Sequence, residues 1–270
     1  MGASEAHDPR LAQARTEQVW ARLGEVTDPE LDEPVTELGF VEDVAVDEAG
    51  GVAVGFRLPT YWCSPNFAYL IADDIARAVR ALPWVAAVRP ELRDHMSAEA
   101  VNRGVGAGLG FAAAFAEFAV EGDLDGLRET FRRKAFQRRQ EALVLALRQA
   151  GLDDAAIVAT RLCDLDAITF ATPEAERARR RYRAILVERG LARRPGDAAV
   201  VSVDGAPIAA AGLKAHLQGL RSVRINMEAN GALCRGLLEA RYRDFDPAAG
   251  EPTLADFMLD RVPPRAAAPA

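Results

Sequence analysis

Cysteine is scarce in this chain: Cys63, Cys163 and Cys234 are the only three among 270 residues. Thiols so few and so far apart exclude a disulfide scaffold and a self-contained four-cysteine metal site, and their odd number leaves at least one without an intrachain partner. Basic side chains are in deficit, 33 Lys and Arg against 40 Asp and Glu for a net charge of −7, which argues against an obligate nucleic-acid binder. Long apolar runs are missing too. The opening segment MGASEAHDPRLAQARTEQVW holds no apolar core of signal-peptide length, and Ala6 stands where a myristoylation signal has Ser or Thr. The longest apolar stretch, Gly104–Val120, is short for a membrane span, rich in Gly and Ala, and carries Glu117. With 50% hydrophobic and 27% charged residues, a folded cytoplasmic protein without a membrane segment is expected. No internal repeat is present.

What is there falls into modules. Residues 1–127 hold 9 basic and 22 acidic side chains, whereas residues 128–194 hold 16 and 9. The acidic part and the basic middle can neutralise each other within the chain or in an oligomer, or the basic part can face a partner. In the first module, residues 12–26 read as a helix with Val19, Leu23 and Val26 on one face. FVEDVAV and VAVGFRL alternate as strands around DEAGG, the clearest β-hairpin in the chain. NFAYLIADDIARAVRAL is an amphipathic helix on Phe67, Leu70, Ile71, Ile75, Val79 and Leu82, and WVAAVRPEL is a third strand. The expected fold class is therefore α+β: a small two-layer α-β-β-α-β domain over 12–96, followed by a mainly helical extension.

A Gly/Ala-rich connector, 97–124, separates the two; it reads equally as a packed helix with close backbone approach or as an ordered loop. Over 125–260 helices are expected at 125–149, at 174–190 (Pro173 at its start, Gly190 at its end) and at 227–242, with a short hairpin around Asp204–Gly205. The last ten residues are expected to fray. The basic stretch FRRKAFQRRQEALVLALRQA also carries Leu143, Leu145 and Leu147. Salt-bridged packing against the acidic module or a protein client therefore reads better than a DNA-binding helix pair.

Cys63 is the residue on which chemistry can rest. It lies in LPTYWCSPNFAYLIADD, after a strand and before a helix entered at Pro65–Asn66. At a helix N-terminus, exposed backbone amides favour a thiolate, a better nucleophile and soft-metal ligand than a thiol. Thr60 and Ser64 can hydrogen-bond around the same turn. Cys63 can equally be a small buried hydrophobe beside Trp62.

Asp28 and Glu30, in TDPELDEP, either cap a turn or orient a metal near Cys63. Asp43, Asp47 and Glu48 read as the wet edge of the hairpin. His95, at the end of the first module, can reach Cys63 or sit on the surface, and His216 lies far off in a helix. Cys163 and Cys234 read as buried helical thiols. Glu228 and Glu239 do not make the paired Glu–His signature of a diiron bundle, so the chain is not expected to be an oxygenase catalyst itself.

Residues 19–96 resemble the MIP18-like family, a small domain of unknown function found in metal–sulfur cluster assembly factors and phenylacetate-pathway accessory proteins. Asp28, Pro29 and Glu30 match the family's opening, Leu38 and Gly39 its turn before the first strand, Thr60 its polar residue and Cys63 its reactive cysteine. Ser64 separates that cysteine from Pro65, and Tyr61–Trp62 replace smaller loop residues. The resemblance implies an accessory role in iron–sulfur or iron-centre assembly, with Cys63 and Thr60 at a transient cluster or iron; Asp28, Glu30 and His95, from the reading of the residues above, are the further candidate metal ligands.

One cysteine cannot complete a coordination shell, so a second chain in a homodimer or a protein client must contribute. Relatives that accompany phenylacetyl-CoA and hydrocarbon monooxygenases point to a diiron monooxygenase as that client. Two other classes stay open. One is a non-catalytic structural or regulatory oxygenase subunit that uses the cysteine loop as an interface and binds no cofactor. The other is a thiol-dependent enzyme, for which no nearby acid and base are apparent.

Overall fold

The computed structural model of the chain describes residues 9–116 and 124–242; residues 1–8, 117–123 and everything after Tyr242, including the expected frayed tail, lie outside the described residues. The chain divides into two compact units. The first takes residues up to Asp28, then Glu33–Leu124 and the residues from Asn230 on; the second takes Pro29–Asp32 and Asp125–Ala229.

The first unit is built on α1 (Pro9–Leu23), β1 (Val41–Val46), β2 (Gly51–Arg57), α2 (Pro65–Arg80) and β3 (Ala87–Arg93), the order α-β-β-α-β that the patterning predicts. β1 and β2 form the expected hairpin. Asp47 closes it by accepting the Gly51 N–H at 2.7 Å, and Gly50 turns the chain at φ +85°. A side chain at Gly50 would also press to 2.6 Å from the Trp84 carbonyl, so two separate constraints select glycine there.

β3 joins the other edge of β2 in parallel, giving the order β1-β2-β3. Parallel neighbours need a crossover, and α2 supplies it. Its apolar stripe of Leu70, Ile71, Ile75 and Val79 is fully buried, each residue stabilising the unit by about 1.5–3 kcal/mol. Val54 and Phe56 of the central strand are buried as well.

The Gly/Ala-rich segment forms two short helices, α3 (Ala98–Gly106) and α4 (Phe111–Ala114). Gly104 is where they meet: a β-carbon there would lie 2.4 Å from that of Ala114. Asn102 of α3 covers the outer edge of β3, accepting from Leu92 N–H at 2.8 Å and donating to Leu92 C=O at 3.0 Å. An edge strand is thereby closed to further pairing at that position.

The second unit is helical: α5 (Leu124–Gln149), α6 (Asp154–Ala159), α7 (Leu162–Ala167), α8 (Pro173–Glu188) and the first part of α9 (Leu213–Tyr242). α9 starts fourteen residues before the expected Met227, because the periodicity of its first half is blurred by exposed small and polar positions. Phe136, Leu143, Leu147, Leu165, Tyr182 and Leu186 form the core. Asp204–Gly205 makes the expected turn, with a Val201–Pro207 bridge in place of paired strands.

Two arginines of this unit converge on one buried acid. Asp32, 2% exposed and at φ +53°, accepts both oxygens' worth of hydrogen bonds from Arg139 Nε at 3.0 and 3.1 Å, and Arg181 donates to its carbonyl at 2.7 Å. One acid of the N-terminal sequence, Asp32, thus pairs with two arginines of the basic middle within this unit.

Gln140 is fully buried and fully used. Its amide donates to Tyr182 Oη at 3.0 Å and Val201 C=O at 2.6 Å, and its carbonyl faces His216 Nε2 at 2.7 Å. Burial holds the His216 imidazole below the ordinary histidine pKa. The unfolded chain therefore takes up that proton first as pH falls, and the contribution of His216, complete above the ordinary value, is lost between that value and the lower folded one. Hydrogen exchange of the α5 amides should show the second unit weakening from pH 7 to 5, with a shallower slope in His216→Gln; equal slopes would refute this.

Candidate functional site

The loop between β2 and α2 is the entry to the crossover. β2 delivers buried Leu58 and Pro59, after which Thr60, Tyr61, Trp62 and Cys63 turn before α2 opens with Ser64 as its N-cap and Pro65 in its first turn. Proline suits that position because the first N–H groups of a helix have no intrahelical partner. Cys63 therefore sits next to the N-terminus of a sixteen-residue helix. The Thr60 hydroxyl and the Cys63 thiol share a hydrogen bond at 3.0 Å. When the thiol is ionised only the hydroxyl carries a proton between them, so Thr60 then donates. Ser64 makes no side-chain cap, and its carbonyl accepts from Phe67 and Ala68 at 3.0 Å.

His95 meets this loop, but through its backbone. Ser97 N–H donates to Nδ1 at 3.1 Å, which leaves Nε2–H to donate to the Cys63 carbonyl at 2.9 Å. At 5% exposure the ring is buried rather than superficial, and burial, reinforced by the Arg241 charge, keeps it below the usual histidine pKa against the pull of the Cys63 carbonyl. Both ring nitrogens serve main-chain groups, so His95 props the loop and has no nitrogen left for a metal. Next to it, Met96 N–H donates to Tyr61 C=O at 2.9 Å. Tyr61, Trp62 and Met96 are 48, 72 and 57% exposed, an apolar patch around a half-buried thiol.

Asp28 is 2% exposed, and its N–H donates to Glu33 C=O at 2.8 Å beside a Thr27–Pro34 bridge, the turn reading of this segment. Glu30 lies in the Pro29–Asp32 segment of the second unit. Among the described residues no three His, Cys, Asp or Glu side chains form a group able to hold a metal ion, so Cys63, Asp28, Glu30 and His95 are not joined as one ligand set. Cys163 is exposed and Cys234 half-buried, so neither is the buried thiol the helical pattern suggests. Among the described residues no helix is long and apolar enough to cross a membrane. Met96 and Ser97 also meet this loop and its support, and no local pattern in the sequence marks them.

Comparison with known proteins places this loop in context. The family described as iron-sulfur cluster assembly protein matches residues 16–89. An iron-sulfur cluster carrier protein of Mycobacterium leprae is 38% identical over 77 residues, which is 28% of this chain and 19% of the relative. The chain thus matches about a fifth of the length of such carriers. The Fe-S protein maturation auxiliary factor YitW of Bacillus subtilis is 33% identical over 75 residues, covering 28% of this chain and 72% of the relative. A crystal structure of the domain of unknown function DUF59 from Bacillus anthracis is 21% identical with a TM-score of 0.30, covering 42% of this chain and 100% of that one.

The Thr60–Cys63 bond should tell in the thiol's reactivity. Replacing the hydroxyl in Thr60→Val is expected to slow iodoacetamide alkylation of Cys63 roughly three- to tenfold at fixed pH, the loss of one hydrogen bond to a charged acceptor. Rates are read by peptide mass spectrometry, and an unchanged rate would show the contact to be inert.

Proposed function

The chain belongs to the iron-sulfur cluster assembly protein family, and from that membership we propose that it matures iron-sulfur or iron centres in other proteins. The observation that carries this reading is Cys63, a half-buried thiol at a helix N-terminus with a hydroxyl at 3.0 Å. The cluster is cargo. Cys63 supplies one thiolate, and the remaining ligands come from the recipient or from the second Cys63 of a homodimer, since clusters require several thiolate or mixed ligands. Thr60 supports the thiolate by hydrogen bonding. The names of the relatives, a cluster carrier and a maturation auxiliary factor, support the same reading.

The client we infer is a multicomponent oxygenase such as a diiron monooxygenase. The resemblance to phenylacetate-pathway accessory proteins implies such a client, and the helical unit from Asp125 on lies outside the family match and offers it further surface. The exposed Tyr61–Trp62 pair is the part of the cysteine loop best fitted to meet a protein. The same pair favours a second reading, a non-catalytic oxygenase subunit whose cysteine loop is only an interface.

Anaerobic reconstitution with iron and sulfide, followed by iron and acid-labile sulfide analysis, separates the two. Maturation predicts a loaded wild-type chain that activates its client, with both properties falling at least about tenfold in Cys63→Ser; a variant that loads and activates like wild type would sink it. Trp62→Ala should weaken recovery of the client in a pull-down by about tenfold, the scale of a buried aromatic anchor, with loading kept within about twofold. The subunit reading predicts instead no loading by either chain and a complex of fixed stoichiometry that Trp62→Ala disrupts.

A further inference from the structure

The Cys63 loop is held in place by residues beyond the family match, which ends at residue 89. Two backbone-level props reach it from the turn after β3: His95 Nε2–H to the Cys63 carbonyl at 2.9 Å and Met96 N–H to the Tyr61 carbonyl at 2.9 Å. That turn begins at Asp94, which stands at φ +52°, a left-handed conformation unfavourable for a residue with a side chain. The conformation needs holding, and the last turn of α9 holds it. Arg241 Nη2 donates to the Asp94 carbonyl at 2.9 Å and pairs with its carboxylate at 2.7 Å, and Tyr242 Oη donates to the same carboxylate at 2.8 Å.

The latch also touches the other end of the loop. Two guanidinium groups lie over the Tyr242 ring, that of Arg241 at 4.9 Å from its centroid and that of Arg57, the final residue of β2, at 4.5 Å. Arg57 is itself fixed to Glu42 at 2.9 Å. The end of β2 that leads into the cysteine loop and the turn after β3 are therefore tied to one helical turn, 185 and 147 residues later in sequence.

We propose that Arg241 and Tyr242 are positioning residues for Cys63: they hold Asp94 in its left-handed turn, and through His95 and Met96 that turn fixes where the thiol stands. Its functional meaning rests on the reading of Cys63 as the working thiol, but the latch itself is a property of the thiol's environment and is tested without a cluster.

In the full chain, Tyr242→Phe keeps the ring and removes only its bond to Asp94, while Arg241→Ala removes the cation. Arg241→Lys restores a cation within reach of the Asp94 carboxylate. Arg235→Ala is the control on the same helix, since Arg235 pairs with Glu33 and not with the loop's supports. Alkylation of Cys63 is followed by peptide mass spectrometry, which separates it from Cys163 and Cys234. The imidazole nitrogens of His95 are followed by NMR as a direct signature of the bond to the Cys63 carbonyl.

Tyr242→Phe and Arg241→Ala should each raise the alkylation rate at least about threefold and shift the His95 resonances, Arg241→Lys should return the rate to within about twofold of wild type, and Arg235→Ala should change neither. Should Arg241→Ala unfold, Tyr242→Phe alone decides. An unchanged rate and unchanged His95 signals in Tyr242→Phe would overturn the latch. An equal rise in Arg235→Ala would overturn it too, by showing general loosening of the helix. Failure of the maturation reading looks different: Cys63→Ser would load and activate normally whatever these rates do.

Discussion

Two parallel strands side by side cannot be joined by a turn. β2 and β3 run parallel, so the chain must leave the end of β2, return along the sheet and enter β3 from the same side, and a helix is the economical way to do so. Everything about the cysteine follows from that requirement. The crossover needs an entry loop, the loop ends at a helix N-terminus with unpaired backbone donors, and the hydrophobic stripe of α2 fixes that helix against the sheet. A thiol in the entry loop is thereby placed beside a positive helix end by topology rather than by any special local sequence. The loop is too short to support its own backbone, and groups from the far end of β3 supply the missing partners.

Part of the charge in this molecule serves its interior. A basic segment suggestive of nucleic-acid binding spends Arg138, Arg139 and Arg181 on the Leu31–Asp32 main chain and the Asp32 carboxylate. Arg224 does the same for Glu141, which is 5% exposed, at 2.7 Å. An acid so thoroughly removed from water is tolerated only with a partner of this kind, and deleting either member would leave an unpaired buried charge.

Local physics was readable in the sequence, and long-range physics was not. The β1–β2 alternation, the stripe on α2 and the entry at Pro65 are short-range patterns, and the hairpin, helix and cysteine loop stand where they predict. The Thr60–Cys63 contact spans three residues and was equally legible. His95 was ambiguous because its burial depends on a packing partner, and its prop to Cys63 spans 32 residues. The two readings of the Gly/Ala segment differed only by whether Gly104 has a neighbour at close range, and Ala114 turned out to be that neighbour. Arg241 and Tyr242 look like any exposed helix end until Asp94 is seen beside them.

The placement of the latch also sets an order in time. Asp94 and Arg241 are separated by 147 residues and Glu33 and Arg235 by 202, so both pairs close loops that span most of the chain. At 5–20 residues per second, roughly 7–30 s of synthesis pass between the two members of the shorter pair. During that interval the sheet and α2 can already be formed, since their contacts are local, while the turn at Asp94 has nothing to hold it. A nascent chain would thus carry an assembled domain with an unclamped cysteine loop, and the clamp would close only when the α9 helix is complete.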